Sequence, residues 1–130
     1  MGRFSVPSRA PLPAREDSAV TIAIEGAVTG GLAAVAVRGE LDIRSAPDLR
    51  AWLTKALDDG AARVVIDLAG VEFMDSSGLG VLVGAHKRLA RIGGRLSVVG
   101  VSPVVARLLS VTGLARVFDV RDATGATLVS

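Results

Sequence analysis

The sequence predicts an α/β fold, a mixed β-sheet with packed α-helices in the order β-β-α-β-α-β-α-β. Three observations carry that expectation. Two strand-like apolar runs flank a Gly30-Gly31 pair, stretches of helical periodicity then alternate with short β-branched runs, and 130 residues suit one ordinary domain. Helices alternating with strands after a hairpin imply crossover connections, hence a sheet with a helical layer packed on it.

The elements follow in order. "VTIAIEG", residues 20–26, alternates Val20, Ile22 and Ile24 with Thr21, Ala23 and Glu25, the period of a half-buried strand. "LAAVAVRG", 32–39, is a second, nearly all-apolar strand. The glycines between them tolerate the positive φ of a tight turn, so the two strands should be antiparallel neighbours. "SAPDLRAWLTKALDDG", 45–60, reads as a helix: Ser45 can cap it and Asp48 follows three residues on. Leu49, Leu53, Ala56 and Leu57 recur at helical spacing before a Gly60 stop. "RVVIDLAG", 63–70, has the continuous apolar run of a sheet interior.

A second helix is expected from Ser77 to Ile92, with Leu79, Leu82, Val83, Leu89 and Ile92 on its buried stripe. Lys87, Arg88 and Arg91 oppose the dipole at its end. "RLSVVGV", 95–101, is a fourth strand, and Ser102-Pro103 opens a short helix that stops at Gly113. "RVFDV", 116–120, reads as the fifth strand. Ahead of all this, "MGRFSVPSRAPLPARED" carries three prolines and three arginines and reads as a flexible arm. The expected organisation is an arm at 1–17, a folded domain at 18–120 and a polar tail at 121–130.

Half the residues are apolar but only 3% are aromatic, so the core must be built from Val, Leu, Ile and Ala. The absence of cysteine removes disulfides, thiol catalysis and cysteine-based zinc sites. No apolar stretch approaches the ~20 residues of a membrane-spanning helix, and the N-terminus lacks the apolar region of a secretory signal. A cytoplasmic location and no membrane span are therefore expected. Net charge is only +2 despite a pI of 9.9, because 13 of the 15 basic residues are arginine. Those bases are scattered, and one Trp, three Phe and no Tyr give little for bases to stack on, so no direct nucleic-acid binding is expected.

The chemistry centres on "VEFMDSSGLG", 71–80. A serine nucleophile needs a base beside it, and the single histidine, His86, lies about ten residues along the following helix. At ~1.5 Å per residue that is more than a dozen ångströms away, and no G-x-S-x-G occurs, so no catalytic residue is expected. Dinucleotide and P-loop glycine patterns are missing, and Asp42, Asp67, Glu72 and Asp75 do not fall at ligand spacing with histidine. No cofactor and no metal site are expected. Yet Asp75, Ser76 and Ser77 are three consecutive capping candidates where one suffices. Gly78, Gly80 and Gly84 leave the early helix bare, although each costs up to ~1 kcal/mol in a helix interior. A bare surface beside a hydroxyl admits another protein, and the free N–H groups there favour negative charge.

"FMDSSGLGVLVGAHKRLARIGG" closely resembles the phosphorylation-site segment of bacterial anti-sigma factor antagonists, which are single STAS-domain proteins. "RGELDIRSAPDLRAWL", 38–53, is similar to their G-E-L-D loop and first helix, and "VSPVVARLLSVTGLARVF", 101–118, to their S-P-x-V…L…G-L segment. The resemblance spans about residues 18–120 and implies a STAS-like sheet. It further implies partner switching. The unmodified antagonist binds an anti-sigma factor that is also an ATP-dependent serine kinase, and so frees a sigma factor. Phosphorylation of the serine after the Asp, here Ser76, releases it, and a phosphatase restores binding. The chain is then a substrate and binding module, not an enzyme. The partner-facing residues would be Asp42, Asp75, Ser76, Ser77, Gly78 and Gly80, with Asp42 either a contact or a turn acceptor before the first helix.

A phosphate adds about −1.5 to −2 charge beside Asp75, so release is expected from local repulsion, desolvation and steric conflict. The competing expectation is a STAS subunit of a stress-signalling or lipid-transport assembly that uses this face without phosphorylation. The chain departs from the family after the fifth strand, where relatives usually carry a longer amphipathic helix and "DATGATLVS" has little helical stripe.

Overall fold

Gly30 and Gly31, at φ 58° and 81°, close a two-residue turn in which Thr29 pairs with Leu32. Only residues that accept left-handed φ at both turn positions make this hairpin tight, which is why the Gly-Gly pair marks it. The computed structural model describes residues 22–127, and the expected arm at 1–17 and residues 128–130 lie outside the described residues. The turn joins β1 (Ile22–Thr29) to β2 (Leu32–Leu41). Then come α1 (Ala46–Asp58), β3 (Arg63–Met74), α2 (Ser76–Arg91), β4 (Arg95–Val101), α3 (Pro103–Val111), a 3₁₀ turn (Leu114–Arg116) and β5 (Asp119–Asp122). The order of strands and helices is the expected one.

The five strands form one sheet in the order β1-β2-β3-β4-β5, antiparallel between β1 and β2 and parallel elsewhere. Each parallel step is between neighbours through one helix, and right-handed crossovers all in one direction carry the helices to one face. The register agrees. Ile24, Val37, Ile66, Val98 and Val120 are buried and join one core cluster with Leu49 and Leu53 of α1, Leu82 and Leu89 of α2, and Leu109 of α3. Trp52 of α1 packs against Gly26 of β1, where a Cβ would lie 2.5 Å from the indole. The core is aliphatic, as the composition requires, with Phe118 its one phenylalanine among the described residues.

Three boundaries differ from expectation, each for a physical reason. β3 runs four residues past Gly70, pairing Gly39 with Val71, Glu40 with Phe73 and Leu41 with Met74. Ser45 does not cap α1. It is buried, its Oγ donating to the Glu40 carbonyl at 2.6 Å and accepting the Asp42 N–H at 3.0 Å, so it pins the end of β2 instead. "RVFDV" is not a strand throughout, because Gly113 at φ 79° turns the chain into a 3₁₀ turn and β5 starts only at Asp119. The tail is not wholly irregular either: Asp122 accepts N–H groups from Thr124 and Ala126, closing a turn that lets Arg121 bridge to Thr127.

Candidate functional site

The site lies at the edge of the sheet where the parallel strands end. β3 spends its last turn of sequence unusually: it uses 12 residues where β2 uses ten, although both ends pair, Leu32 with Arg63 and Leu41 with Met74. The difference is taken up as two bulges, between Ala36 and Arg38 and between Gly39 and Glu40 of β2. At the second, Glu72 has no partner residue, and the buried-exposed alternation breaks: Glu72 and Phe73 are both exposed between buried Val71 and Met74. Bulges re-aim side chains, and this one turns Phe73 outward while Met74 goes under α2.

Met74 leads straight into the helix. The Asp75 N–H donates to the Leu41 carbonyl at 3.2 Å, tying the end of β3 to the end of β2. Asp75 is extended (φ −113°, ψ −169°), and its Oδ1 accepts the Ser77 N–H at 2.8 Å while its carbonyl accepts from Leu79. That is N-cap geometry, in which a carboxylate satisfies one of the helix's orphan donors and opposes the positive end of the dipole. Asp75 alone is therefore the side-chain cap. Ser77, expected to share that task, contributes its N–H and is half-buried, whereas Ser76, the first helical residue, is exposed.

The glycines divide into two kinds. Gly78 is buried: a Cβ there would lie 2.8 Å from Met74 Cγ and 2.9 Å from Leu41 Cγ, so its bareness serves packing onto the strand ends and not clearance for a partner. This corrects its expected place on the open surface. Gly80 and Gly84 do face open space, one and two turns beyond Ser76 at helical spacing, and they edge a groove with Arg50, Leu53 and Leu57 of α1.

On the neighbouring strand end, Asp42 accepts the N–H groups of Arg44 at 2.9 Å and Ser45 at 3.2 Å. Partial burial pushes its carboxyl up, but these N–H groups, the Arg44 charge and the Ser45 hydroxyl together hold its pKa below the ordinary 3.8. Asp42 thus acts as the turn acceptor that leads the chain into α1. The structure brings Asp42, Asp75, Ser76 and Ser77 to one edge through the β2–β3 pairing. His86 is elsewhere, half-buried with its ring 5.9 Å from that of Phe118. Among the described residues no group of three or more His, Asp or Glu could hold a metal ion, and no helix is long and apolar enough to cross a membrane.

Two residues of this edge escaped the sequence reading. Ile43, next to Asp42, is 73% exposed, and Phe73 is 47% exposed. The signal for Phe73 is the break in alternation at "VEFM", visible only once the segment is known to be strand. Ile43 had none beyond its place in a loop.

Comparison with known proteins agrees with this architecture. The STAS domain family model matches residues 23–127. An anti-sigma-B factor antagonist of Staphylococcus aureus is 39% identical over 90 residues, covering 69% of this chain and 83% of that protein. The crystal structure of an anti-sigma factor antagonist from Mycobacterium paratuberculosis superposes with a TM-score of 0.70 at 31% identity, over 84% of this chain and 90% of that one. The Bacillus cell fate determinant SpoIIAA in its phosphorylated form superposes with a TM-score of 0.62 at 26% identity, over 75% of this chain and 89% of that one. With the expected strand order, the helical face and the family match over nearly all the described residues in agreement, the chain belongs to the STAS domain family.

Proposed function

We propose that this chain is an anti-sigma factor antagonist that binds an anti-sigma factor in its unphosphorylated state and is released when that factor, acting as a serine kinase, phosphorylates Ser76. A phosphatase acting on the phosphoserine returns it to the binding state. In this reading the chain is a cytoplasmic substrate and binding module and performs no catalysis of its own.

The observation that carries the reading is the setting of Ser76. It is the exposed first residue of a 16-residue helix whose cap is supplied by the residue before it. The hydroxyl is accessible to a kinase, and the helix start can accept a phosphate without refolding, because first-turn N–H groups lack intrahelical acceptors and the dipole favours negative charge. The same modification places new charge and bulk beside Asp75, on the surface a partner would cover. The S. aureus relative's name and the phosphorylated form of SpoIIAA support the assignment.

The test incubates the full chain with each anti-sigma factor kinase of the source organism and ATP, then maps phosphate by mass spectrometry. Ser76 should carry the label, Ser76→Ala should bind without being modified, and Ser76→Asp should bind more weakly, though one carboxylate imitates a phosphate imperfectly. Stable complex formation with no label at residues 76–77 would instead identify a STAS subunit that works without a phosphorylation cycle.

A further inference from the structure

The edge that carries Ser76 has a composition unlike the rest of the molecule. The protein is net positive, at +2, yet the two adjoining segments 40–44 and 72–76 hold four carboxylates, Glu40, Asp42, Glu72 and Asp75, against the single guanidinium of Arg44. Among these carboxylates in sequence stand two exposed apolar residues, Ile43 at 73% and Phe73 at 47% exposure. They are not scattered surface residues. Phe73 precedes Met74 and Ile43 lies two residues beyond Leu41, and Met74 and Leu41 are register partners on strands ~4.8 Å apart. Nor is Phe73 outward by default: the bulge at Glu72 directs it there, where an unbroken alternation after Val71 would have sent it inward.

We propose that Ile43 and Phe73 form the apolar centre of the partner-binding surface, and that the partner meets it with an apolar patch rimmed by Lys or Arg. This rests on the reading of the chain as an antagonist and specifies the chemistry of its contact. Aromatic and large aliphatic side chains at the middle of an interface carry most of its energy, while a charged rim sets orientation and association rate. The charge complementarity also sharpens how phosphorylation acts. A basic partner offsets part of the repulsion that the new charge meets beside Asp75, and what remains is the cost of desolvating it. The phosphate releases the complex through the volume and hydration it demands where the apolar centre must close and dry.

The experiment titrates the full chain by calorimetry against the same purified anti-sigma factor kinases, one at a time, at about 50 mM and about 500 mM salt. Ile43→Ser and Phe73→Ser should each weaken binding about tenfold or more. Val111→Ser, at a residue 70% exposed at the far end of α3, should leave it unchanged, and thermal melts should show all three variants folded. High salt and Glu72→Lys should both weaken the complex. A kinase that binds and phosphorylates Ile43→Ser and Phe73→Ser like the parent would overturn this surface while leaving the antagonist reading intact. Tighter binding at high salt or by Glu72→Lys would overturn the basic partner. If none of the kinases binds the parent chain, the antagonist reading fails and this inference with it.

Discussion

A β-carbon on Gly78 would stand 2.9 Å from Cγ of Leu41, closer than side-chain contacts allow. The start of α2 therefore rests directly on the end of β2. Gly78→Ala should destabilise the protein by about 1–3 kcal/mol through overpacking, even though alanine favours helix by up to ~1 kcal/mol. Gly80→Ala, two residues on with nothing within 4 Å of its Cβ, should stabilise by up to ~1 kcal/mol. Urea denaturation of the two variants reads the contrast directly, and equal effects would mean that helix propensity, not packing, governs both positions.

Asp75 is the cap of the same helix. Removing it in Asp75→Ala should cost about 0.5–2 kcal/mol, while Asp75→Asn should keep most of that, since an amide oxygen can still accept the Ser77 N–H. Amide hydrogen exchange localises the loss: the first turn of α2 should open faster in the alanine variant, with the sheet centre unaffected.

Ser45 invites a similar test with a different cause. Ser45 is 1% exposed, and its hydroxyl serves both the Glu40 carbonyl and the Asp42 N–H. Ser45→Ala takes the hydroxyl from two partly buried backbone groups at once, which should cost about 1–3 kcal/mol. A loss no larger than a few tenths of a kcal/mol, measured by chemical denaturation, would mean that water replaces the hydroxyl.

How far could these sites be read from residues alone? The hairpin, the helices and the alternation of β1 were legible because each rests on local physics: Gly-Gly turn geometry, a 3.6-residue period, a two-residue period. The helix start at Asp75 was legible because helix starts have their own chemistry, whereas Ser76 was singled out from Ser77 only by the family resemblance. Ser45 was not, since Ser-x-x-Asp before an apolar stripe is also how a capped helix looks. Only tertiary contact with the end of β2 decides between the two. The length of β3 was hidden for a related reason. Beyond Asp67 it pairs with β2 but no longer with β4, so its last residues need not be apolar on both faces and no longer look like an interior strand. Gly78 and Gly80 are alike in sequence, and only the packing of Met74 and Leu41 separates them.

The turn at Asp42 gives the edge a defined response to acid. Its carboxyl is held below the ordinary 3.8 in the folded protein, so the folded state favours the charged form. The stabilisation from this group is fully present above the unfolded pKa and fades as pH falls through the lower folded one. NMR titration should show an Asp42 midpoint below 3.8. The turn should be unchanged from neutral pH down to about pH 5. Asp42→Asn should remove this group's share of the acid sensitivity, and an Asp42 midpoint at or above 3.8 would contradict the hydrogen-bonded turn.

The two bulges of β3 have a consequence of another kind. They absorb the extra length after Asp67, so residues 63–67 keep an uninterrupted register with β2 on one side and β4 on the other. The load-sharing centre of the sheet is thereby insulated from the contour of its rim. Substitutions at Glu72 or Phe73, at and beyond the second bulge, can therefore reshape the rim without resetting the register of the sheet centre.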